Sequence, residues 1–535
     1  MSEATATHRE VANRGMLVIS VMLATLMQAL DTTIANVALP NMQGTLSATQ
    51  DQISWVLTSY IVAAAIAMPA TGWLASTMGR RRLLLVAIAG FTLASVLCAL
   101  ADSIGTMVGF RLLQGLFGAS LVPLSQSTLL DVYPREKHGA AMAMWGMGVM
   151  IGPILGPPLG GWLTETYSWH WVFLINVPIG ALALLGVAAS LPTDATRASR
   201  FDWRGFAFLA IGIGALQLFL DRGESQDWFS SVEIQIETAL AFLGFYLYFA
   251  HWRTNANPFL DLGLFADRNF FASNIFIFVL GVVLFATMAL LPPFLQNLMN
   301  YPVVTVGLLL APRGVGTLFA MLLVGRLMAR GADARLLAGI GMLLTAYSLW
   351  QMAHFSLDVP QSLIISTGVL QGLGLGLVFV PISTVAYSTL PTAARTEAAG
   401  IFSLMRNIGS SVGISIVMTL LSRNTQINHA EIASRLTPFG GNMAQMPAIL
   451  NGSSTAALAT LNGEVTRQAS AIAFLDDFWL MMLLTVVSIP LLLLLKPVPT
   501  QQRRRSSPII ELATAAAHHR DAAGVLGPEP VAGSG

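Results

Sequence analysis

An acidic side chain lies inside the first long apolar stretch of the sequence. The stretch QALDTTIANVALP covers residues 28–40, and Asp31 in it stands well within the apolar segment from Met16 to Leu39. If this segment lies in lipid, a carboxylate there costs roughly 2.5 to 3.5 kcal/mol by insertion scales. Acids retained at such a cost commonly carry protons or pair with a base, so Asp31 is a candidate proton carrier.

Arg111 is the predicted partner of Asp31. Asp31 lies seven residues before the outer end of the first apolar span, and Arg111 lies seven residues after the outer end of the fourth. At about 1.5 Å per residue, both lie ~10 Å below the outer surface. Burial disfavours the charged form of Asp31 and a nearby Arg111 favours it, so a change in their separation would shift proton affinity. The alternative is a static structural pair.

Further polar side chains in the spans could line a cavity. An aromatic and amide lining with one acid suits amphipathic or cationic organic molecules. On the first-half spans the candidates are Gln28, Thr32, Asn36, Trp55, Tyr60 and Gln114.

The second half of the chain carries buried charges of the opposite sign. Arg406, followed by Asn407, and Arg313 lie within spans, and we expect no acid deep in the second half to pair with either arginine. Each could contact backbone carbonyls, line a water-filled pathway or face an anionic substrate group; a structural tie between helices is the alternative. We favour a functional role for Arg406 and leave the two interpretations of Arg313 open.

The composition predicts an integral membrane protein. The chain has 535 residues, 55% of them hydrophobic and only 10% charged, whereas soluble domains have about 25% charged residues. The net charge of +1 gives no reason to expect nucleic acid as a partner. With Cys98 as the single cysteine, neither a disulfide framework nor a thiolate metal site is available. We find no phosphate loop, metal cluster or nucleophile–base set, so we expect neither an enzyme nor a cofactor, with a proton gradient as the driving force.

Apolar segments of about 20 residues, the length that crosses a bilayer, occur fourteen times. The predicted spans are 16–38, 52–75, 83–101, 104–129, 139–163, 171–190, 203–220, 236–252, 271–296, 303–325, 336–354, 361–388, 398–421 and 478–496. With the amino terminus inside, the cytoplasmic segments hold 21 of the 28 lysines and arginines and the external segments hold four. Basic residues favour the cytoplasmic side, so both termini are predicted to be cytoplasmic.

The order of the spans predicts an all-α membrane fold of two six-helix halves. GWLASTMGRRRLL (72–84) and GRLMARGADARLL (325–337) join corresponding spans of the two halves, and repeated halves with a site between them are the usual plan of a secondary transporter. The predicted units are an amino-terminal segment 1–15, a first half 16–190, an inserted helix pair 203–252, a second half 271–496 and a cytoplasmic, disordered tail 497–535.

A long external segment, 422–477, separates the last two spans. Its ends have helical patterns and its middle, near 451–463, is rich in Gly, Ser and Ala. We predict two helices that continue spans thirteen and fourteen outward and pack together, with that middle at or near the tip. A flexible linker is the alternative, because loops of this length are usually either functional or disordered.

Span five contains a regular series of glycines. Small residues at a spacing of four let another helix approach closely, and prolines kink a helix. The glycines are Gly148, Gly152, Gly156 and Gly160, with Pro153, Pro157 and Pro158 among them.

Several motifs together resemble those of major facilitator superfamily drug:proton antiporters. LDTTIANVALP (30–40), GWLASTMGRRR (72–82), RLLQGLFGAS (111–120) and GMGVMIGPILGPPLGGWL (146–163) occur in that order. SWHWVFLINVPIG (168–180), the fourteen spans and the long external loop resemble the EmrB/QacA subfamily, on its EmrB side. Ser76 departs from the loop motif, which usually has an acid there, and this weakens the expectation that the loop forms the family's usual gating salt bridge. His170 replaces a usual arginine, and the role of that arginine stays unassigned.

The resemblance implies functions for these motifs. The span-five series, with Gly161, corresponds to the antiporter motif and favours export. Gly72, Gly79, Arg80 and Arg81 correspond to a cytoplasmic gating loop. The implied protein is a proton-coupled multidrug efflux transporter of the inner membrane that works with a periplasmic EmrA-like adaptor and a TolC-type outer-membrane channel. A dedicated exporter of one metabolite, such as an aromatic acid or a siderophore, is the alternative with the same fold. A non-transporting scaffold is disfavoured by the deep acid.

Overall fold

The computed structural model describes residues 13–134, 137–194, 196, 200–255, 258–436 and 455–496, and within these ranges the chain is helical without strands. Fourteen long helices follow one another in the described residues. They are α1 Arg14–Thr45, α2 Gln50–Met78, α3 Arg80–Ala99, α4 Ile104–Val132, α5 His138–Thr166, α6 His170–Ser190, α7 Trp203–Arg222, α8 Val232–Thr254, α9 Arg268–Leu298, α10 Val304–Ala329, α11 Ala334–Met352, α12 Gln361–Ala386, α13 Thr392–Arg435 and α14 Thr455–Leu494.

Thirteen of these helices, counted over the described residues, are long and apolar enough to cross a membrane. The remaining one, α11, occupies the place of the eleventh predicted span and carries several polar residues. Two of these are satisfied inside the bundle: Thr345 Oγ1 donates to the Gly341 carbonyl at 2.9 Å, and Ser348 Oγ donates to the Thr367 carbonyl of α12 at 2.7 Å. The prediction of an all-α membrane protein is confirmed, and the number of long helices agrees with the fourteen predicted spans.

The helices pack as two six-helix repeats. In the first half α1 packs against α5 and α6, and α4 packs against α2 and α3. In the second half α9 packs against α13 and α14, and α12 packs against α10 and α11. Helices α7 and α8 form a separate pair, with α7 lying against α2 and α13. The predicted pseudo-repeat with an inserted pair is therefore confirmed.

The two repeated loops both turn at a glycine. Gly79, between α2 and α3, has φ +82°, and Gly331, between α10 and α11, has φ +89°. Side chains with a Cβ rarely adopt this left-handed region, so glycine permits both tight connections. The positions match the two repeated segments recognised in the sequence.

Two helices extend beyond the last apolar segments and form an outer hairpin, defined here as residues 422–436 of the α13 side and 455–477 of α14. His429 Nε2 lies 3.0 Å from Asn462 Oδ1, and Asn428 Nδ2 donates to the Ala469 carbonyl at 3.5 Å. The prediction of two packed helices is confirmed for these residues. Because α14 begins at Thr455, residues 455–463 are helical; 437–454 and the tail 497–535 lie outside the described residues.

Candidate proton and substrate site

Asp31 and Arg111 form a buried ion pair in the first half. Arg111 Nη1 on α4 lies 2.6 Å from Asp31 Oδ2 on α1, and both side chains are 0% exposed. Gln114 Nε2, one turn further along α4, donates to Asp31 Oδ1 at 2.7 Å. Charge-assisted hydrogen bonds of this kind are about twice as strong as neutral ones. The arrangement can hold a carboxylate in its charged form away from water.

The Arg111 guanidinium is fixed by contacts beyond Asp31. Its Nε donates to the Val56 carbonyl of α2 at 2.9 Å, and Nη1 also donates to Gln114 Oε1 at 2.8 Å. The guanidinium carbon lies 4.4 Å from the centre of the Tyr60 ring, a cation–π distance. Tyr60 and Gln114, two of the predicted cavity residues, therefore surround the ion pair directly.

Asn176 is a member of this cluster that the residue-by-residue reasoning did not select. Its Nδ2 on α6 donates to Asp31 Oδ1 at 3.2 Å and to Ser95 Oγ on α3 at 3.0 Å. Ser95 Oγ in turn donates to the Phe173 carbonyl at 2.9 Å. The signal was an amide inside the apolar run VFLINVPIG, which had been used only as part of a family motif.

The glycine series of α5 lets α1 come close beside Asp31. A Cβ on Gly152 would lie 2.6 Å from the Ala29 Cβ, and one on Gly156 would lie 2.0 Å from Thr33 Oγ1. Thr33 Oγ1 also donates to the Gly152 carbonyl at 3.2 Å. These contacts leave no room for a side chain on α5, so the glycines position the helix that carries the acid.

The other members of the α5 motif make looser contacts. A Cβ on Gly160 would lie 3.2 Å from Ile34, one on Gly148 would lie 3.4 Å from Met22, and one on Gly161 would have Val37 only at 4.0 Å. The helix runs unbroken through Pro153, Pro157 and Pro158, from His138 to Thr166.

Four other predicted cavity residues form no hydrogen bond with the side chain of Asp31 or Arg111 within the described residues. Gln28 and Thr32 are half-buried on α1, with Thr32 Oγ1 donating to the Ala29 carbonyl at 3.0 Å, and Asn36 is exposed. Trp55 lies under Arg222 of α7, with 5.0 Å between the guanidinium carbon and the ring centre. The structure thus brings Trp55 to the inserted pair rather than to Asp31.

Arg313 on α10 and Arg406 on α13 have no ion-pair partner among the described residues. Arg313 Nη2 and Arg406 Nε are buried and lack a hydrogen-bond partner within the described part of the chain. Asn407, next to Arg406, is half-buried. Buried donors without partners are costly, so these groups are available to an acceptor that enters between the helices.

A charged network joins the two halves at the end of the bundle where α3 begins. Arg80 forms ion pairs with Asp131, at the end of α4, and with Asp194 at 3.0 Å. Asp131 Oδ1 also lies 3.0 Å from Arg395 Nη1 of α13. The acid that the sequence motif lacks at Ser76 is thus supplied by other elements.

The remaining gating-loop residues support this junction. A Cβ on Gly72 would lie 2.8 Å from the Glu397 Cβ of α13, so glycine allows α2 and α13 to touch. Arg81 Nη2 donates to the Ala188 carbonyl at 2.6 Å. Gly79 supplies the turn already described. The end of α2 that contains Gly72 and helix α13 of the second half are therefore in direct contact.

Comparison with known proteins places these features in a family. Residues 21–414 match the family model described as Major Facilitator Superfamily. The multidrug export protein EmrB of Escherichia coli (strain K12) is 35% identical over 477 residues, which cover 88% of this chain and 93% of that protein. The fatty acid resistance protein FarB of Neisseria gonorrhoeae is 36% identical, with coverage of 88% and 94%.

Solved structures of low sequence identity share the fold. The human organic anion transporter MFSD10 has a TM-score of 0.56 at 16% identity, over 88% of this chain and 99% of that one. The proton:xylose symporter XylE has a TM-score of 0.57 at 14% identity, over 88% and 94%. At these identities the likeness concerns the fold alone.

Proposed function

The chain belongs to the Major Facilitator Superfamily, and we propose that it is a proton-coupled multidrug efflux transporter of the EmrB type that exports amphipathic or toxic organic compounds. Relatives named as multidrug export or resistance proteins match most of its length, among them EmrB and the probable multidrug resistance protein EmrY of Escherichia coli (strain K12). Family and relatives indicate a transporter rather than an enzyme.

The buried Asp31–Arg111 pair is the observation that carries proton coupling. With Arg111, Gln114 and Asn176 all donating to it, the Asp31 carboxylate is stabilised while the pair is closed. When α1 moves away from α4, the Asp31 carboxylate loses the donors of Arg111 and Gln114, and a buried charge without them is penalised, so the carboxyl can take up a proton. Alternating the two arrangements exchanges protons across the membrane without a bound cofactor.

The charge pattern and the outer hairpin support the orientation and the partners proposed here. The excess of Lys and Arg on one side supports an inner-membrane protein with both termini in the cytoplasm. The hairpin then projects into the periplasm, where it offers helical surface to an EmrA-like adaptor, and through it to a TolC-type outer-membrane channel. Such a partner would carry the substrate past the outer membrane.

A dedicated exporter of one anionic metabolite, such as an aromatic acid or a siderophore, is the second candidate. It is favoured by Arg313 and Arg406, whose guanidinium groups each have a buried nitrogen without a partner in the described part of the chain. A guanidinium binds a carboxylate through two parallel hydrogen bonds, so either arginine would suit an organic acid. The name of FarB associates one relative with fatty acids.

Transport in proteoliposomes tests both candidates. A pH gradient should drive ethidium across membranes that contain the wild-type protein and should fail to do so with Asp31→Asn. Transport of an aromatic carboxylate but not of ethidium, lost in Arg406→Gln, would establish the second candidate. Gradient-driven ethidium transport that survives Asp31→Asn would contradict the proposed coupling. A deletion strain screened for drug susceptibility and secreted metabolites would identify the substrates.

A further inference from the structure

The second half repeats the buried glutamine of the proton site. Gln114 lies in LQGL at 113–116, and Gln371 lies in LQGL at 370–373. The glycine after each glutamine packs closely against a backbone carbonyl oxygen of a neighbouring helix. A Cβ on Gly115 would lie 2.4 Å from the carbonyl oxygen of Tyr60 on α2, and a Cβ on Gly372 would lie 2.0 Å from the carbonyl oxygen of Arg313 on α10. Because α2 and α10 correspond in the repeat, the two glutamines occupy equivalent places.

The partner of this glutamine differs between the halves. Gln114 Nε2 donates to Asp31 on α1, whereas Gln371 Nε2 donates to Thr287 Oγ1 on α9 at 3.2 Å. Since α1 and α9 correspond, a neutral hydroxyl stands in the second half where the acid stands in the first. Gly368, three residues before Gln371, also takes the place that Arg111 has before Gln114.

In the second half, an acid lies on α14, the helix that corresponds to α6. In the first half α6 begins with WVFLIN, in which FLIN (173–176) ends at the Asn176 that binds Asp31. In the second half α14 contains FLDD (474–477), which ends at Asp477. Helices α6 and α14 correspond, as each packs against the first and third helices of its half. Asp477 is therefore the counterpart of Asn176.

The Asp477 carboxyl lacks the hydrogen-bond donors and the arginine that surround Asp31, within the described part of the chain. Asp477 is 1% exposed, and neither of its side-chain oxygens has a hydrogen-bond partner within the described part of the chain. Its neighbours in sequence, Phe474 and Phe478, belong to an apolar cluster. A buried carboxylate without donors or a cation costs several kcal/mol, so the neutral acid is the stable form here.

The helices packed against α14 offer no cation that bonds to this carboxyl. No ion pair to Asp477 occurs among the described residues. Among charged and titratable groups, helix α9 carries Arg268 and α11 carries Arg335 and Tyr347, with both arginines at the first turn of their helix and His354 just beyond the end of α11. The charged or titratable groups on α13 and on α14 itself are Arg395, Glu397, Arg406, Arg423, His429, Glu431, Arg435, Glu464, Arg467 and Asp476.

We propose that Asp477 is a second proton-carrying carboxyl of the transporter, protonated in the arrangement described and deprotonated when α14 separates from α9 and water reaches it. The O–H bond of the acid then breaks, and its proton passes to water. The end of α9 offers a place for this movement, because Phe294–Leu298 forms a π-helical turn and the Phe294 ring lies 5.6 Å from that of Phe474. Such turns are frequent at functional sites. The inference rests on the proposed proton coupling.

Infrared spectroscopy of the purified full-length protein tests the protonation state directly. A neutral carboxylic acid absorbs at a higher frequency than a carboxylate, so at neutral pH the wild-type spectrum minus that of Asp477→Asn should contain one such band. The matched control Asp476→Asn removes the adjacent exposed acid and should leave the band in place. Asparagine fills the equivalent site at position 176, so the variant should fold, and Asp477→Glu should restore the band. A difference spectrum without it would overturn the proposal.

Proteoliposomes test the role in transport, with ethidium as the probe. Asp477→Asn should move fewer protons per ethidium than the wild type when a pH gradient drives transport. An unchanged proton-to-ethidium ratio would also overturn the proposal. If a pH gradient does not drive ethidium transport by the wild type, the proposed function itself is wrong. That outcome differs from a lower proton-to-ethidium ratio found only in Asp477→Asn.

Discussion

Asp31 and Arg111 are joined at 2.6 Å in a place where neither side chain meets solvent. The pair is held from four helices, because the Val56 carbonyl of α2 accepts from Arg111 and Asn176 of α6 donates to Asp31. A displacement of α1 relative to α4 or α6 changes the number of donors at the Asp31 carboxylate. Helix movement and proton affinity are thereby linked in a single residue.

Replacing Asp31 tests that linkage. Asp31→Asn should remain folded and inserted but lose proton-driven export, because an amide keeps the shape and cannot exchange a proton. Asp31→Glu should retain part of the activity. Export driven by a pH gradient, measured in vesicles, is the assay, and Asp51→Asn, an exposed acid at the start of α2, is the control. Wild-type export by Asp31→Asn, with and without the gradient, would rule out the assignment.

Replacing Arg111 tests the pairing itself. Arg111→Ala leaves a buried carboxylate without its cation and should destabilise the fold by about 3 to 5 kcal/mol, whereas Arg111→Lys should be milder. The double variant Arg111→Ala with Asp31→Asn should lose less stability than the sum of the single variants. Unfolding in detergent, followed by circular dichroism, measures all four proteins. Additive losses would show that the two residues are not energetically coupled.

Apolar length and spacing were sufficient to predict the helices and the depth of the ion pair. Asp31 and Arg111 were placed at equal depth by counting residues from the ends of their spans, and the structure shows them in contact. The counting works because a membrane fixes both the length and the direction of each helix. It gives no rotation about the helix axis, so the sequence did not indicate that Trp55 faces Arg222 of α7, with 5.0 Å between the guanidinium carbon and the ring centre.

Contacts between segments distant in the sequence could not be predicted from the sequence. Asp131 and Asp194 bind Arg80 from the end of α4 and from the segment after α6, and nothing in their local sequence indicates that meeting. The sequence predicts no acid deep in the second half, because the fourteenth predicted span begins at residue 478; the burial of Asp477, one residue before it, shows that prediction to be wrong. Its burial depends on how α14 packs, which only the assembled bundle shows.

The glycines of α5 should tolerate substitution according to how closely α1 approaches. A Cβ on Gly152 would lie 2.7 Å from the Ala29 carbonyl carbon, which is too close for any side chain without movement of α1. Gly152→Ala should therefore destabilise the protein by about 1 to 3 kcal/mol and reduce export. The control Gly161→Ala has its nearest neighbour at 4.0 Å and should be neutral. Thermal unfolding of both variants provides the comparison, and equal effects would contradict this role of the α5–α1 contact.

The outer hairpin should matter to cells more than to the transporter alone. Its two arms, 422–436 and 455–477, pack through contacts such as His429 with Asn462 and expose apolar side chains, among them Ile427 and Leu458. A projection of this kind suits a partner on the far side of the membrane, and transport through an isolated bilayer does not require that partner.

Shortening the hairpin with a tight turn that replaces residues 429–462, and so keeps Asp477 and its apolar neighbours in place, tests this division of roles. Gradient-driven ethidium transport in vesicles should be retained, because the proton site on α1, α4 and α6 is untouched. Drug resistance in cells with an outer membrane should fall, since the handover to an adaptor is lost. As a milder variant, Ile427→Ser with Leu458→Ser keeps the helices and should show the same contrast if these side chains contact the partner. Loss in both assays would mean that the hairpin gates the transporter itself, and no loss in either would leave it a linker.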